Sequence, residues 1–219
     1  MVLLLGRTVV GGRVFERREA RLRGRLRRGL GGVASLFVRT LLLVLVYGLF
    51  FATNALLYAI VVYYPQLLAG FGVSSTFLIS LYLSVLGIAG GVSAYFYDRI
   101  KRRFEYRQLT VVALGLWVAG SSLVAVASAP LLALLPVVLF GLGQGLVFPT
   151  VLLWVEELVP ADRQGQFSSY VAMAGYIGQS LSPVLFGLVA GPFGIRAAFA
   201  AAAFAGLALV ASGGRYAVR

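Results

Sequence analysis

The sequence predicts an all-α membrane protein of six transmembrane helices, and three observations carry that expectation. First, 60% of the 219 residues are hydrophobic and only 12% are charged. A soluble domain is nearer half apolar and about a quarter charged. Second, the charges are segregated. No Asp, Glu, Lys or Arg falls between Arg39 and Asp98, between Arg107 and Glu156, between Arg163 and Arg196, or between Arg196 and Arg215. Third, the gaps are filled by continuous apolar runs of about 20 residues, the length that crosses a bilayer as a helix. Continuous rather than alternating runs favour helices over barrel strands, since each helix satisfies its own backbone in lipid.

Residues 1–38 form a basic segment that begins the chain, residues 39–213 the transmembrane domain, and residues 214–219 a tail. MVLLLG at the start is too short for a secretory signal and has no basic stretch before it. It reads either as a few idle residues or as the end of a helix. Within 13–28, RVFERREARLRGRLRR, Phe15, Leu22 and Leu26 fall near one helical face. This arm is either a solvated linker with some helix or a helix lying on anionic lipid.

The first span covers about 40–64 and is expected to break at Pro65. Its fourteen Leu, Ile, Val and Phe residues, at about −0.3 to −0.6 kcal/mol each, outweigh the single amide of Asn54. The others are expected at about 76–97, 108–128, 131–155, 166–190 and 195–212. Ten Arg lie in residues 1–39, and DRIKRRFEYR, 98–107, holds five basic groups against two acids. The intervening loops PQLLAGFGVSS, SAP and GPFG carry no Lys or Arg. Every second loop is therefore basic except the 156–165 stretch, where Arg163 stands against three acids and parity decides the side; this places both termini and those loops in the cytoplasm.

The composition also excludes chemistry. With no cysteine and no histidine, thiolate chemistry and the usual metal ligand and neutral-pH base are missing. No metal site, no cofactor and no catalytic group is expected, so the chain is not read as an enzyme. The glycines of GLGQG, 141–145, lack the Lys and Ser/Thr of a phosphate loop. The net charge of +12 sits in loops beside apolar spans, so topology explains it and nucleic acid is not an expected partner.

Small and polar stripes run along the spans. In the first, Tyr47, Asn54 and Tyr58 stand at helical spacing; in the second, Ser80, Ser84, Gly87 and Gly91; in the fourth, Gly141 and Gly145 beside Gln144; in the fifth, Ser168, Ala172, Gly175, Gln179 and Ser182. Lipid gives helices no hydrophobic reason to associate, so close backbone contact through small residues draws them together. The Gly and Ser positions, including Gly178 and Gly187, are read as packing sites. An amide in hydrocarbon needs a partner, so Asn54, Gln144, Gln179 and the tyrosines either bond between helices or line a solute path. Pro149 and Pro183 lie inside spans and bend them.

At this point the pattern resembles the major facilitator superfamily, specifically its carboxy-terminal six-helix half. A basic segment precedes six spans, as in that family's central loop. DRIKRR, Asp98 to Arg103, is similar to the family's D-R-x-G-R-R loop. GLGQG followed by Pro149 and then ELVPADRQG, Glu157 to Gly165, resembles the junction of its tenth and eleventh helices. GQSLSPVLFG, 178–187, and GIRAAF, 194–199, resemble its eleventh helix and the beginning of its twelfth. Ala94, Lys101 and Gln164 depart from the pattern, standing where Gly, Gly and Arg are usual.

The resemblance implies half of a twelve-helix bundle, built from two inverted three-helix repeats. It implies secondary transport of a small solute by alternating access in the plasma membrane. The solute would meet Asn54, Tyr58, Gln144, Tyr176 and Gln179 near the midplane, opposite an amino-terminal half or a second copy. The apolar, aromatic lining leans toward efflux of an amphiphilic, drug-like compound. The alternative is a non-transporting membrane subunit or an inactive remnant. Acids at a helix end oppose the macrodipole, so Glu157, together with Glu156, is expected either to pair with the basic turn or with Arg163 at a cytoplasmic gate or to be solvated at the interface. That gate includes Asp98, Arg99, Arg102 and Arg103.

Overall fold

The computed structural model describes the backbone of residues 5–217 and the side chains of residues 36–208 and 210. Every regular element among them is helical: α1 Leu5–Ala69, α2 Thr76–Tyr95, α3 Tyr97–Lys101, α4 Tyr106–Val126, α5 Leu134–Leu158, α6 Gln164–Phe193 and α7 Ile195–Ala217. Short 3-10 turns at Leu131–Ala133 and Ala161–Arg163 lead into α5 and α6. Five stretches are long and apolar enough to cross a membrane: Leu36–Ala69, Thr76–Tyr95, Tyr106–Val126, Leu131–Leu158 and Ala161–Phe193. A shorter apolar stretch, Ile195–Ala208, belongs to α7. The apolar face expected at Phe15, Leu22 and Leu26 lies outside the described side chains.

The chain divides into two compact units, Met1–Val44 and Leu45–Arg219. The first contributes helical backbone of α1, in which Thr40 Oγ1 donates to the Leu36 carbonyl at 2.9 Å. The second holds the packed bundle.

The expected break at Pro65 does not occur. α1 runs through Pro65 and ends at Ala69. A proline removes one backbone donor, and a membrane helix tolerates that where neighbours compensate. What ends the helix is glycine. Gly72 takes φ 84°, and Val73 and Gly72 donate back to the Leu68 and Ala69 carbonyls at 3.0 and 2.9 Å. That is a Schellman closure, whose left-handed residue is nearly always glycine. Ser75 then caps α2 through its hydroxyl. Glu105 and Gln108 form a capping box at the start of α4, satisfying orphan donors at both sides of the cap.

In the second unit α5 is central. Half of its most apolar window is buried, against 11% for α2. α5 packs on α2 and α4 and touches α6, while α4 and α6 both pack on α7. A run of rings crosses the bundle: Trp117 on Phe140 at 5.3 Å, Phe140 on Phe199 at 6.3 Å, Phe199 on Phe186 at 5.9 Å, and Phe186 on Tyr63 at 6.4 Å. These tilted arrangements suit the ring quadrupole. One rung therefore ties α4, α5, α7, α6 and α1 together.

The α2–α5 contact is the closest. A Cβ at Gly141 would overlap the Leu86 carbonyl, and one at Gly145 would overlap the Ser93 hydroxyl and the Gly90 carbonyl. The Ser93 hydroxyl bonds across to the Leu142 carbonyl at 2.9 Å. This corrects one reading of α2. Its contact face is Ala89, Gly90 and Ser93, whereas Ser80, Ser84, Gly87 and Gly91 are exposed, and nothing lies within 4 Å of a Cβ at Gly87 or Gly91. Two small-residue faces exist on this helix, and among the described residues only the Ala89, Gly90 and Ser93 face meets another helix.

Tyrosines fasten one end of the bundle. Tyr64 donates to the Ala133 carbonyl, and Tyr82 donates to that of Pro130 at 2.9 Å. The Arg196 guanidinium lies 5.6 Å over the Phe71 ring. The α1–α2, α4–α5 and α6–α7 connections therefore meet at one end, and the 96–105 and 159–163 turns lie at the other.

Candidate functional site

The candidate solute path is built on α1, α5 and α6. α6 lies along α1 because its inner face is small. A Cβ at Gly178 would overlap the Phe51 carbonyl, and one at Gly175 would lie 2.7 Å from the Phe50 ring. Ser182 Oγ donates to the Ala55 carbonyl at 2.6 Å. Near the two ends, Tyr47 Oη donates to the Phe167 carbonyl at 3.3 Å and Tyr63 Oη to the Pro183 carbonyl at 2.9 Å. The helices are thus parallel and in register. Gly187 also stays close, with a Cβ there reaching 3.2 Å from Tyr63 Oη.

With the backbones this near, the amides meet. Gln179 Nε2 donates to Asn54 Oδ1 at 3.0 Å, and Asn54 Nδ2 donates to its own helix at Phe50 O, 2.8 Å. Asn54 is buried. The pair therefore serves helix–helix bonding and leaves little of Asn54 to a solute. Replacing Gln179 with Leu is expected to cost about 1–2 kcal/mol, because it strands the Asn54 carbonyl in an apolar site. The double variant Asn54→Leu/Gln179→Leu should recover part of that loss. Unfolding in mixed micelles would check it, and equal losses in the single and double variants would argue against the pairing.

Gln144 stands apart. Phe148 packs its ring 6.0 Å from that of Phe50. α5 runs antiparallel to α1, so Gln144, one turn before Phe148, lies level with Asn54, one turn after Phe50. Three amides thus share one depth. The Gln144 Oε1 atom is buried and has no hydrogen-bond partner among the described residues. Pro149 follows directly in α5, inside the helix.

The outward face of α6 is different in kind. Ser169, Ala172, Met173, Tyr176, Ile177, Ser180 and Leu181 line a shallow open groove of about 550 Å³. Tyr176 is 68% exposed and Met173 54%. Tyr58, on α1, is also exposed. Sequence reasoning named Tyr176 but not Met173, Ser169 or Ser180. Their spacing of three, seven and four from Tyr176 was the signal for a shared face.

The second cluster lies at the end opposite the tyrosine fasteners. Glu157 reaches the basic turn through a phenol: Tyr106 Oη donates to Glu157 Oε1 at 2.7 Å. The Lys101 ammonium sits 3.7 Å from the centre of the Tyr106 ring, which stacks on Trp154. A cation over a phenol face is attracted by the ring quadrupole. Tyr97 is buried beside this group, its hydroxyl 3.0 Å from Thr150 Oγ1. Burial pushes the Tyr97 phenol above its ordinary range, with the Asp98 and Glu157 carboxylates adding to the rise against an opposing pull from the Thr150 hydrogen bond. The hydroxyl therefore stays neutral at physiological pH. Gln164 Nε2 holds the Glu156 carbonyl at 3.1 Å, satisfying one of the last carbonyls of α5. Asp98, Arg99, Arg102, Arg103, Glu156 and Arg163 are all exposed. These contacts brace α3, α4 and α5 against one another within this chain. Lys101, where the family pattern has glycine, is one of the braces.

Comparison with known proteins follows the same outline. Structures of a peptide transporter, POT, match with a TM-score of 0.60. A variant in complex with alafosfalin is 20% identical, over 80% of this chain and 38% of the other. The transporter in complex with sulfate is 22% identical, over 77% of this chain and 36% of the other. At that identity the likeness is one of fold. The chain spans less than two fifths of the length of these transporters. No curated protein sequence matches significantly. The sequence profile of the Major Facilitator Superfamily matches residues 1–183 and 103–216. Those matches together cover nearly the whole sequence, and the chain belongs to the major facilitator superfamily.

Proposed function

We propose that this chain is the carboxy-terminal half of a secondary transporter that moves a small solute by alternating access. The observation that carries the reading is the exposed α6 groove around Tyr176, placed beside a level of three amides. A second observation supports it. The stripe Ser80, Ser84, Gly87 and Gly91 on α2 is small, exposed and open, as a face awaiting another helix would be. α2 and α6 would then flank a path closed by an amino-terminal six-helix body or by a second copy of this chain.

The groove is mostly apolar, with one phenol, one thioether and two hydroxyls. That lining suits an amphiphilic solute, and export from the cell follows as the favoured direction. No Asp, Glu, Lys or Arg lies deep in any span, so a coupling proton or ion would bind on the other half. The chain sits in the plasma membrane with both termini and the 96–105 turn in the cytoplasm, as its basic loops require. The braced Lys101–Tyr106–Glu157 cluster keeps this end rigid while the halves rock.

Flux in proteoliposomes tests the proposal, using ethidium as a cationic amphiphilic probe and a dipeptide as a polar one, since the similar solved structures are peptide transporters. Ethidium flux above protein-free vesicles is expected once a second six-helix body is present, and Tyr176→Ala should lower it on the order of tenfold, the equivalent of about 1.4 kcal/mol. Dipeptide flux alone would move the substrate class. Background flux for both probes under every pairing would favour the non-transporting reading.

A further inference from the structure

α2 has 20 residues, which as a helix span about 30 Å, one hydrocarbon thickness. Its last residue, Tyr95, therefore ends an apolar crossing, and the next crossing begins at Tyr106. The ten residues between are held at one membrane surface, at headgroup depth. They are not free to lift away. Tyr97 is buried and bonded to Thr150, and Lys101 lies over the Tyr106 ring.

The exposed side of this corner combines rings and guanidiniums. Tyr95 is 79% exposed, and Phe96 and Phe104 are exposed as well. The Tyr95 ring meets Phe96 edge-on at 5.1 Å, and the Arg99 guanidinium lies 5.4 Å over Phe96. Arg102 and Arg103 are exposed close by in the sequence. Of the two acids in the turn, Glu105 is turned back to cap α4, which leaves Asp98 against three arginines. Aromatic rings favour the boundary between acyl chains and headgroups. Guanidinium groups match phosphate in a bidentate geometry and are weakly hydrated.

We propose that Tyr95, Phe96, Arg99, Arg102, Arg103 and Phe104 form a binding site for the phosphate headgroup of an anionic lipid. The rings seat the acyl boundary and the arginines hold the phosphate. The site rests on the chain spanning the membrane, not on transport, so it stands or falls independently of any flux result.

The absence of cysteine makes a local test possible. Ala94→Cys, exposed beside the corner, carries a fluorophore in vesicles whose phosphatidylglycerol or phosphatidylcholine is brominated at equal mole fraction. Quenching by brominated phosphatidylglycerol is expected to exceed that by phosphatidylcholine at least about threefold, given the attraction each basic residue adds near an anionic surface. The combined Arg99→Gln, Arg102→Gln and Arg103→Gln variant should lose that preference, and the corresponding Lys variant should keep most of it, which shows that loss reflects charge rather than misfolding. Inorganic phosphate at matched ionic strength should leave the preference intact. Equal quenching by the two lipids, a preference that survives in the Gln variant, loss in the Lys variant as well, or displacement by inorganic phosphate would each overturn the lipid assignment.

Discussion

Gly145→Ala is expected to destabilise the bundle by about 3 kcal/mol or more, although the same change in an open helix stabilises it. Alanine is the better helix former by about 1 kcal/mol, so propensity alone predicts a gain. The added methyl, however, has nowhere to go. It would overlap the Gly90 carbonyl and the Ser93 hydroxyl, and it would force apart the two backbones that the Ser93–Leu142 hydrogen bond joins. Overpacking a closed contact costs about 1–3 kcal/mol and more where backbone must move. Here the obstacle is backbone on a helix that makes its main contact with α5 at this place. Gly87→Ala is the internal control, because a Cβ there meets nothing within 4 Å. It should be neutral or stabilising. Unfolding in mixed micelles with rising denaturing detergent, read by tryptophan fluorescence, would give both midpoints. A Gly145→Ala chain as stable as the parent would mean that α2 and α5 are not in contact here.

The second large effect separates stability from function on the same helix. Gly87→Trp places a bulky ring on the open stripe of α2. The unfolding midpoint of the chain should move by less than about 0.5 kcal/mol, as for a surface change away from packed groups. Flux with a partner half should nevertheless fall to background, because a helix that docks through small residues cannot approach a tryptophan. Unchanged flux in Gly87→Trp would detach this stripe from any partner. Loss of folding would mean that the open face is used within the chain.

Much of the architecture was legible because charge is so scarce. Long intervals without Asp, Glu, Lys or Arg leave few ways to place the spans. Pro65 misled for a definable reason. Proline reads as a helix end, but membrane neighbours absorb the lost donor, and the stop came at the positive φ of Gly72. The α2 face misled for another. Gly87 and Gly91 form the tidier stripe, yet Gly90 and Ser93, one face round, carry the contact. A single sequence shows that a face is small and not which neighbour meets it. The amide partners were visible one by one, while the Asn54–Gln179 pairing spans 125 positions and no local signal reports it. Glu157 was singled out as an acid at a helix C-terminus. It accepts a hydrogen bond from the Tyr106 hydroxyl at the beginning of α4, a neutral partner that a reading of charges alone does not suggest.

The central claim is that the outward face of α6 lines a watery path rather than lipid. In this chain without cysteines, Tyr176→Cys can be probed in the membrane with a thiol reagent that does not cross lipid, with Phe204→Cys on α7, 73% exposed, as the lipid-facing comparison. The account predicts rapid labelling at 176, protected by a transported solute, and none at 204. Labelling at neither position, with the protein shown to be folded, would place the groove in lipid and contradict the account.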